Sequence, residues 1–163
     1  TSYAYSGGKY DYADSEFRGF NIVNETLNDK SVVSHYFHQN KELKGKEYRT
    51  ETYDKNNNIF SATDNNFNIT NKHNNSVFIA QLKSTSTYTY DGQLSNPKII
   101  NTSFTYDNYS NVISNTQYGD ISISGDEKYE NYTYAYNQSS WIIDKPSWYF
   151  LFDADYNKIR ETK

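Results

Sequence analysis

Residues 16–54 read EFRGFNIVNETLNDKSVVSHYFHQNKELKGKEYRTETYD and contain three runs that are typical of β-strands. In these runs β-branched and aromatic residues alternate with polar ones, which indicates half-buried strands with a period of two. A polar bend at 39–46 separates the last two runs, and we expect Gly45 near its end to take a positive φ angle in a hairpin connection. The stretch therefore predicts the start of an antiparallel sheet.

Tyrosine dominates the apolar part of the composition. The chain has 163 residues, of which 18 are Tyr and 35% are hydrophobic. A chain of this length can bury the core of one domain. Tyrosine, with an apolar ring and a polar tip, suits half-buried sheet faces better than a dry interior. Because no window keeps a period of 3.6 residues over three turns, we predict an all-β fold of antiparallel hairpins.

Charge and cysteine content argue against several classes of function. The net charge is −4, and the basic residues between 41 and 49 alternate with glutamates, so nucleic-acid binding is not expected. The absence of Cys excludes disulfides and thiolate zinc sites. No apolar run approaches the length of a membrane span. Because the chain starts at Thr1, we interpret it as a single continuous β module that is a fragment of a much longer chain.

The β signal varies along the rest of the chain. Residues 54–75 are polar and predict either a long loop or a weak strand pair, and alternating runs return from Ser76. Pro146 is expected to break the sheet or to lie on an edge strand. Tight turns are predicted at Gly7-Gly8, Asp91-Gly92 and Gly119-Asp120.

One hairpin unit occurs three times in the sequence. Its frame is an aromatic residue, Asp, three variable residues and Asn, followed by a strand. We expect the aromatic ring to end one strand on its packed face and the Asp to accept hydrogen bonds from backbone N–H groups of the turn. The later Asn is expected to tolerate the left-handed conformation. The units are Tyr53-Asp54 with Asn58, Tyr106-Asp107 with Asn111, and Phe152-Asp153 with Asn157.

This frame resembles the YD repeat of Rhs proteins, which usually reads Y-D-x-x-G-N. The glycine of that pattern is replaced here by Asn57, Ser110 and Tyr156. Tyr156 in particular must adopt another turn or accept the strain of the left-handed region.

The opening stretch carries a second, narrower resemblance. Its motifs occur in the same order as in the B component of insecticidal toxin complexes (Tc toxins), where the Rhs-type shell begins. The resemblance implies that residues 1–54 are the lead-in and first strands of such a shell and that residues 55–163 are its YD-repeat hairpins. The motifs that carry it are Phe17-Arg18-Gly19-Phe20, His35-Tyr36-Phe37-His38-Gln39 and Lys44-Gly45, between Tyr10-Asp11 and Tyr53-Asp54.

The resemblance also implies a function. Rhs-type chains wind a large curved β-sheet into a hollow shell. The shell is part of a secreted toxin and encloses a toxic polypeptide until that polypeptide is delivered. The implied partners are the remaining shell, the encapsulated polypeptide and a channel-forming component. No residue here matches the self-cleaving aspartates of such systems, so the expected role is structural and non-catalytic, with no cofactor. We expect Arg18 to anchor strands, paired with Glu16 or Asp11.

Other kinds of site have weaker support. His35 and His38 would point to opposite faces of a strand, so a shared metal ion is not expected. The runs after Asp54 and Asp153 lack the sixth-position glycine of a calcium loop, which favours ordinary turns. No nucleophile elbow or paired carboxylate predicts an enzyme. The Tyr and Trp rows leave one alternative, a free-standing β-sandwich that binds glycans, although their spacing already serves a sheet face.

Overall fold

The computed structural model describes residues 1–74, 76–90, 92–93 and 95–163 and is dominated by β-strands. Eleven strands belong to one antiparallel sheet, and two short strands form a separate ladder. Within the described residues the only helix is a single 3₁₀ turn, Gln138–Ser140. The predicted all-β class with antiparallel hairpins is therefore confirmed. The chain divides into two compact units, Thr1–Leu82 with Ser86–Lys98 and Lys83–Thr85 with Ile99–Lys163.

The first unit begins with a short strand, a two-stranded ladder and then a series of hairpins. β1 pairs with β4, and β4, β5, β6 and β7 follow one another as antiparallel neighbours. β2 pairs only with β3 and forms the separate ladder. The strands are β1 (Ser2–Ser6), β2 (Tyr10–Asp11), β3 (Glu16–Phe17), β4 (Ile22–Thr26), β5 (Val32–Phe37), β6 (Glu47–Tyr53), β7 (Ile59–Lys72) and β8 (Val77–Thr89), and the segment Lys83–Thr85 of β8 is assigned to the second unit.

The second unit is an antiparallel meander in which each strand pairs with the next. Its strands are β9 (Lys98–Tyr106), β10 (Val112–Asp120), β11 (Lys128–Asn137), β12 (Ile142–Phe152) and β13 (Lys158–Thr162). Pro146 lies opposite Tyr134 at a register shift, and β13 pairs only with residues 149–152 of β12. Because proline cannot donate to a ladder, this bulge on an unpaired edge suits it, as predicted.

The polar region after Asp54 forms a strand and not a long loop, which was one of the two predictions for it. It forms one strand of 14 residues, β7, whose first part pairs with β6. Ladder hydrogen bonds satisfy the backbone whatever the side chains, and Asn and Thr can stay half-exposed on the sheet faces. Ala62 of β7 is only 2% exposed. The long-loop alternative is therefore wrong.

Among the predicted glycine turns, the β5–β6 connection follows the prediction, because Gly45 takes a φ angle of +74°. Gly7 has a φ angle of +64°, but β1 and β2 pair with other strands instead of with each other, so the predicted tight turn at Gly7-Gly8 is wrong. Gly119 also has a positive φ, but it lies inside β10 at a register shift, so the predicted turn at Gly119-Asp120 is wrong. A Cβ atom at Gly119 would collide with the Asp126 carboxylate, which accepts the Asp120 N–H at 2.9 Å. For the predicted Asp91-Gly92 turn, Asp91 lies outside the described residues.

Complete burial is rare among the described residues. The buried apolar side chains are Leu43 and Ala62, and the buried polar ones are Arg18, Ser34 and Asp120. Most strand residues are half-buried instead. Stability must therefore come from ladder hydrogen bonds and from tyrosine and carboxylate contacts across the sheet faces, as the composition predicts.

Candidate functional site: aspartate turns and the Arg18 clasp

The three predicted hairpin units form turns with the same hydrogen-bond pattern. In the first, Asp54 Oδ1 accepts the N–H groups of Asn56 and Asn58 at 2.8 Å each, and Oδ2 accepts the Asn58 amide at 3.2 Å. The backbone N–H of Asp54 donates to Asn58 O at 2.9 Å. Asp107 and Asp153 make the corresponding bonds to positions two and four residues later. We call these the aspartate turns.

The left-handed residue of each aspartate turn is the one that replaces the glycine of the YD pattern, and not the later Asn for which the turn chemistry predicted this conformation. Asn57, Ser110 and Tyr156 have φ angles of +64°, +70° and +61°. The predicted positions Asn58, Asn111 and Asn157 instead donate their side-chain amides to the Asp, so this prediction is wrong by one position. Tyr156 accepts the strained conformation, and its ring stacks on Tyr129 with centroids 4.3 Å apart.

A fourth turn of this shape was missed. Leu27 N–H donates to Ser31 O and Lys30 N–H donates to Leu27 O, the same two bonds that close the Asp54 turn. Lys30 has a φ of +70°. The first position holds Leu27 instead of Asp, and Asp29 supplies the carboxylate that binds Ser31. A sequence pattern that requires Asp at the first turn position misses this turn. A pattern that requires Asn, Asp or Ser at the third and fifth turn positions includes it, through Asp29 and Ser31.

Strands β11 and β12 cover the Asp107 turn through hydrogen bonds, which no strand does for the other two aspartate turns in the contacts of the described residues. The Tyr136 hydroxyl of β11 donates to Asp107 Oδ2 at 2.6 Å, and the Tyr136 ring lies 5.3 Å from that of Tyr109. Asn111 Nδ2 also donates to Ile143 O of β12 at 2.7 Å. Partial burial raises the pKa of Asp107, but the hydrogen bonds from Tyr136, Asn111 and the backbone outweigh it and lower the pKa overall. The turn therefore favours the carboxylate form.

Arg18 lies at the centre of a carboxylate cluster that we call the Arg18 clasp. Its side chain is 1% exposed and pairs with Asp11 and Glu16 at 3.4 Å each, as predicted, and also with Asp14. The backbone N–H of Asp14 is the main cause that lowers the pKa of Asp11, and the charge of Arg18 adds to it. The ladder of β2 and β3 is thus closed around one buried guanidinium.

The loop between β5 and β6 holds this ladder in place. Lys41 pairs with Asp14 at 3.2 Å, and Lys44 pairs with Glu16. Gln39 Nε2 donates to the carbonyls of Gly7 and Gly19 at 2.6 and 2.8 Å. The family-motif residues Arg18, Gly19, Gln39 and Lys44 therefore meet in one place, although 20 residues separate Gly19 from Gln39.

The aromatic members of the same motif border the clasp. The rings of Phe17 and Phe20 meet edge to face at 5.4 Å, and Tyr5 packs on Phe20 at 5.1 Å. Gly8 lies against both phenylalanines, and a Cβ atom there would approach Phe20 to 3.2 Å. Gly45, at its positive φ, allows the β5–β6 loop to close.

The two histidines contact adjacent residues of β6 and therefore lie on opposite faces, as their spacing predicts. His35 Nδ1 lies 2.6 Å from Glu47, while the His38 ring packs on Tyr48 at 4.8 Å. Burial lowers the pKa of His38. No group of three or more metal-ligating side chains occurs in the part of the chain that the structure describes.

Two half-buried glutamates collect tyrosine hydroxyls, a feature that the sequence did not reveal. Glu51 accepts from Tyr36 at 2.6 Å and from Tyr53 at 2.7 Å. Glu130 accepts from Tyr132 at 2.7 Å and from Tyr149 at 3.4 Å. The hydrogen bond to Glu51 and burial raise the pKa of Tyr36. The Tyr residues that suggested a glycan platform thus serve contacts within the sheet.

Comparison with known proteins gives a match in structure only. No family model and no curated protein sequence matches the chain. The crystal structure of TcdB2-TccC3-Cdc42 matches 94% of this chain with a TM-score of 0.72 and 11% identity. TcdB2-TccC3 without its hypervariable C-terminal region matches 93% at a TM-score of 0.72 and 13% identity. TcdB2-TccC3 itself matches 93% at 0.70 and 13% identity.

These matches define the fold and its extent. The chain spans 12% of the length of each of these three structures. No helix in the described residues has the length and apolar character to cross a bilayer. The resemblance inferred from the YD frame and the FRGF motif agrees with the structural match over nearly the whole chain. The chain therefore has the Rhs-like fold of the Tc toxin structures.

Proposed function

We propose that this chain is a structural, non-catalytic segment of a Rhs/YD-repeat shell that encapsulates a toxic polypeptide for delivery. The observation that carries the proposal is the fold match to TcdB2-TccC3 over 93–94% of the chain. The aspartate turns support it, because one turn chemistry used three times is the pattern of a repeat wall.

The outer strands also support the proposal. Every residue of β1 is exposed, and so is every residue of β13. Within the part of the chain that the structure describes, each strand pairs on one side only, with β4 and with β12 respectively. An unpaired edge presents a row of free N–H and C=O groups, which soluble proteins normally shield. A sheet that continues in both directions would satisfy these groups.

The polar character of the sheet faces fits a wall rather than a dense core. Hydrogen bonds between half-buried Tyr and Glu side chains stabilise the sheet faces and keep them polar. Such faces can line a cavity that holds a polypeptide without binding it tightly. We propose that the partners are the remaining shell, the encapsulated polypeptide and a channel-forming component, and that the assembly acts outside the producing cell.

The alternative of a free-standing glycan-binding β-sandwich is not supported. Eleven of the strands belong to a single sheet. In the aromatic row of β12, Trp148 is exposed and Phe150 and Phe152 are half-buried, and the rings stack in series, Trp148 on Phe150 and Phe150 on Phe152. The Lys163 ammonium lies 4.1 Å from the Trp148 ring centroid, so a side chain of the protein already covers the ring face on which a sugar would stack.

The test is a cryo-EM structure of the complete native polypeptide. We expect β1 and β13 to be hydrogen-bonded to neighbouring strands and one sheet face to line a closed cavity that contains polypeptide. A native structure in which both strands remain edges, or in which both faces meet bulk solvent, would overturn the proposal. Protease protection of the enclosed polypeptide in the intact particle provides an independent measurement.

A further inference from the structure

The Asp107 turn shows what a completed aspartate turn contacts. Its Oδ2 accepts the hydroxyl of Tyr136 from the next strand, β11, at 2.6 Å. Its partner Asn111 uses the same amide nitrogen that binds Asp107 to donate to Ile143 O at the start of β12, at 2.7 Å. The Asp–Asn pair of this turn therefore binds both strands of the following hairpin.

The Asp153 turn repeats this geometry without the following hairpin. Asp153 Oδ1 accepts the N–H groups of Asp155 and Asn157 at 3.1 and 2.8 Å. Among the described residues, only the Asn157 amide donates to Oδ2, at 3.2 Å. Asn157 is exposed, whereas Asn111 is half-buried. The two turns differ in what covers them and not in their own conformation.

We propose that the Asp153–Asn157 turn is a docking site for a further β-hairpin that carries a tyrosine. In the docked state its first strand pairs antiparallel with β13, and its tyrosine hydroxyl donates to Asp153 Oδ2. Asn157 donates to a main-chain carbonyl at the start of its second strand. The inference rests on the proposed function, because it names the chemistry by which a continuing sheet is held to this segment.

Tyrosine fits this position for reasons of reach and charge. A hydroxyl that donates to a carboxylate forms a short, charge-assisted bond, about twice as strong as a neutral one. Tyr136 reaches Asp107 from a neighbouring strand while its ring packs on Tyr109, which a serine or threonine hydroxyl could not do. At the Asp153 turn, Asp155 stands where Tyr109 stands in the covered turn, so the hydroxyl–carboxylate bond must carry more of the recognition.

The repeat register provides a direct experiment. Val112 corresponds to Lys158, since each is the first residue after the turn Asn, so Gln117 corresponds to Lys163. A copy of residues 118–152 is therefore appended after Lys163, where it continues β13 in register and supplies a copy of the β11–β12 hairpin. Four extended chains are compared: unchanged, with the copy of Tyr136 replaced by Phe, with Asp153→Asn, and with both changes. Asp153→Asn keeps Oδ1 as acceptor for the turn and replaces Oδ2 by an amide nitrogen.

The readout is amide hydrogen exchange of residues 158–162. We expect the appended hairpin to protect these amides, and the Phe replacement to speed their exchange about tenfold when Asp153 is present but not in the Asp153→Asn chain. Asp54→Asn, in the matching turn of the first unit, is the control and should leave the effect of the Phe replacement unchanged. If the hairpin protects β13 equally with Tyr or Phe, the docking chemistry is wrong and the shell proposal stands. If no extended chain protects β13, both are overturned.

Discussion

The Arg18 clasp and the Asp107 turn both use carboxylates to hold a chain reversal, but they differ in burial and reach. Arg18 is 1% exposed and binds three carboxylates that are each about a third exposed. Asp107 is half-exposed and binds groups within four residues, together with Tyr136. Water can replace a lost partner at the turn but not at the buried guanidinium. The clasp should therefore be the more sensitive of the two to mutation.

The largest expected effect is at the clasp. Arg18→Met removes the charge that unites Asp11, Asp14 and Glu16, and we expect the free energy of unfolding to fall by about 3 kcal/mol. Urea unfolding measures it. Arg160→Met, on the exposed strand β13, is the matched control and should change stability by less than about 0.5 kcal/mol. Equal effects of the two changes would show that the clasp does not stabilise the lead-in.

The next effect separates a covered turn from an uncovered one. Asp107→Ala removes the acceptor of two backbone N–H groups, of the Asn111 side-chain amide and of the Tyr136 hydroxyl. We expect the free energy of unfolding, measured in urea, to fall by about 2 kcal/mol. Asp54→Ala removes the same local bonds without a tyrosine hydroxyl and should cost about 1 kcal/mol. Should both variants lose the same stability, the hydroxyl of Tyr136 would contribute nothing to the Asp107 turn.

Removal of the Tyr136 hydroxyl alone measures its contribution to the Asp107 turn. Tyr136→Phe keeps the ring that packs on Tyr109 and leaves Asp107 Oδ2 with only the Asn111 amide, so we expect a loss of about 1 kcal/mol. In a double-mutant cycle the loss should disappear when Asp107 is already Ala. Tyr12→Phe, at a ring that is 87% exposed, serves as the control. A loss that persists without Asp107 would contradict the assigned contact.

The smallest effect is a gain. The Leu27 turn has the path of an aspartate turn without the first carboxylate, and Asp29 already accepts the Ser31 N–H, so Leu27→Asp should add an acceptor for the N–H of Asp29. We expect a stabilisation of about 0.5 kcal/mol, because turn hydrogen bonds at the surface contribute modestly. Thermal unfolding of Leu27→Asp beside Leu27→Asn, which offers the same acceptor without charge, measures it. A destabilised Leu27→Asp chain would mean that the side chain of Leu27 is needed for packing.

The same contrast explains how much the sequence could predict. The aspartate turns close within five residues, so the spacing from Asp54 to Asn58 carries most of the information needed. Arg18 could be paired in advance with Asp11 and Glu16, since all three lie in one short segment. These local features were predicted because their chemistry is complete within a few residues.

Contacts across the sheet could not be predicted in the same way. Lys41 and Lys44 reach the clasp only because the β5–β6 loop folds back on β2 and β3. The bond from Tyr136 to Asp107 spans 29 residues and depends on the register of β10 and β11. The turn chemistry alone assigned the left-handed conformation to the later Asn, because Asn suits both that conformation and the side-chain bond that it makes instead, whereas the glycine of the YD pattern marked the residue that adopts it.

We propose above that this chain is an inner strip of a larger sheet. Amide hydrogen exchange tests it most directly, in the 163-residue chain and in the complete native polypeptide. We expect the outward-facing amides of β1 and β13 to exchange freely in the 163-residue chain and to be strongly protected in the native polypeptide. The same rapid exchange of both strands in both samples would contradict it.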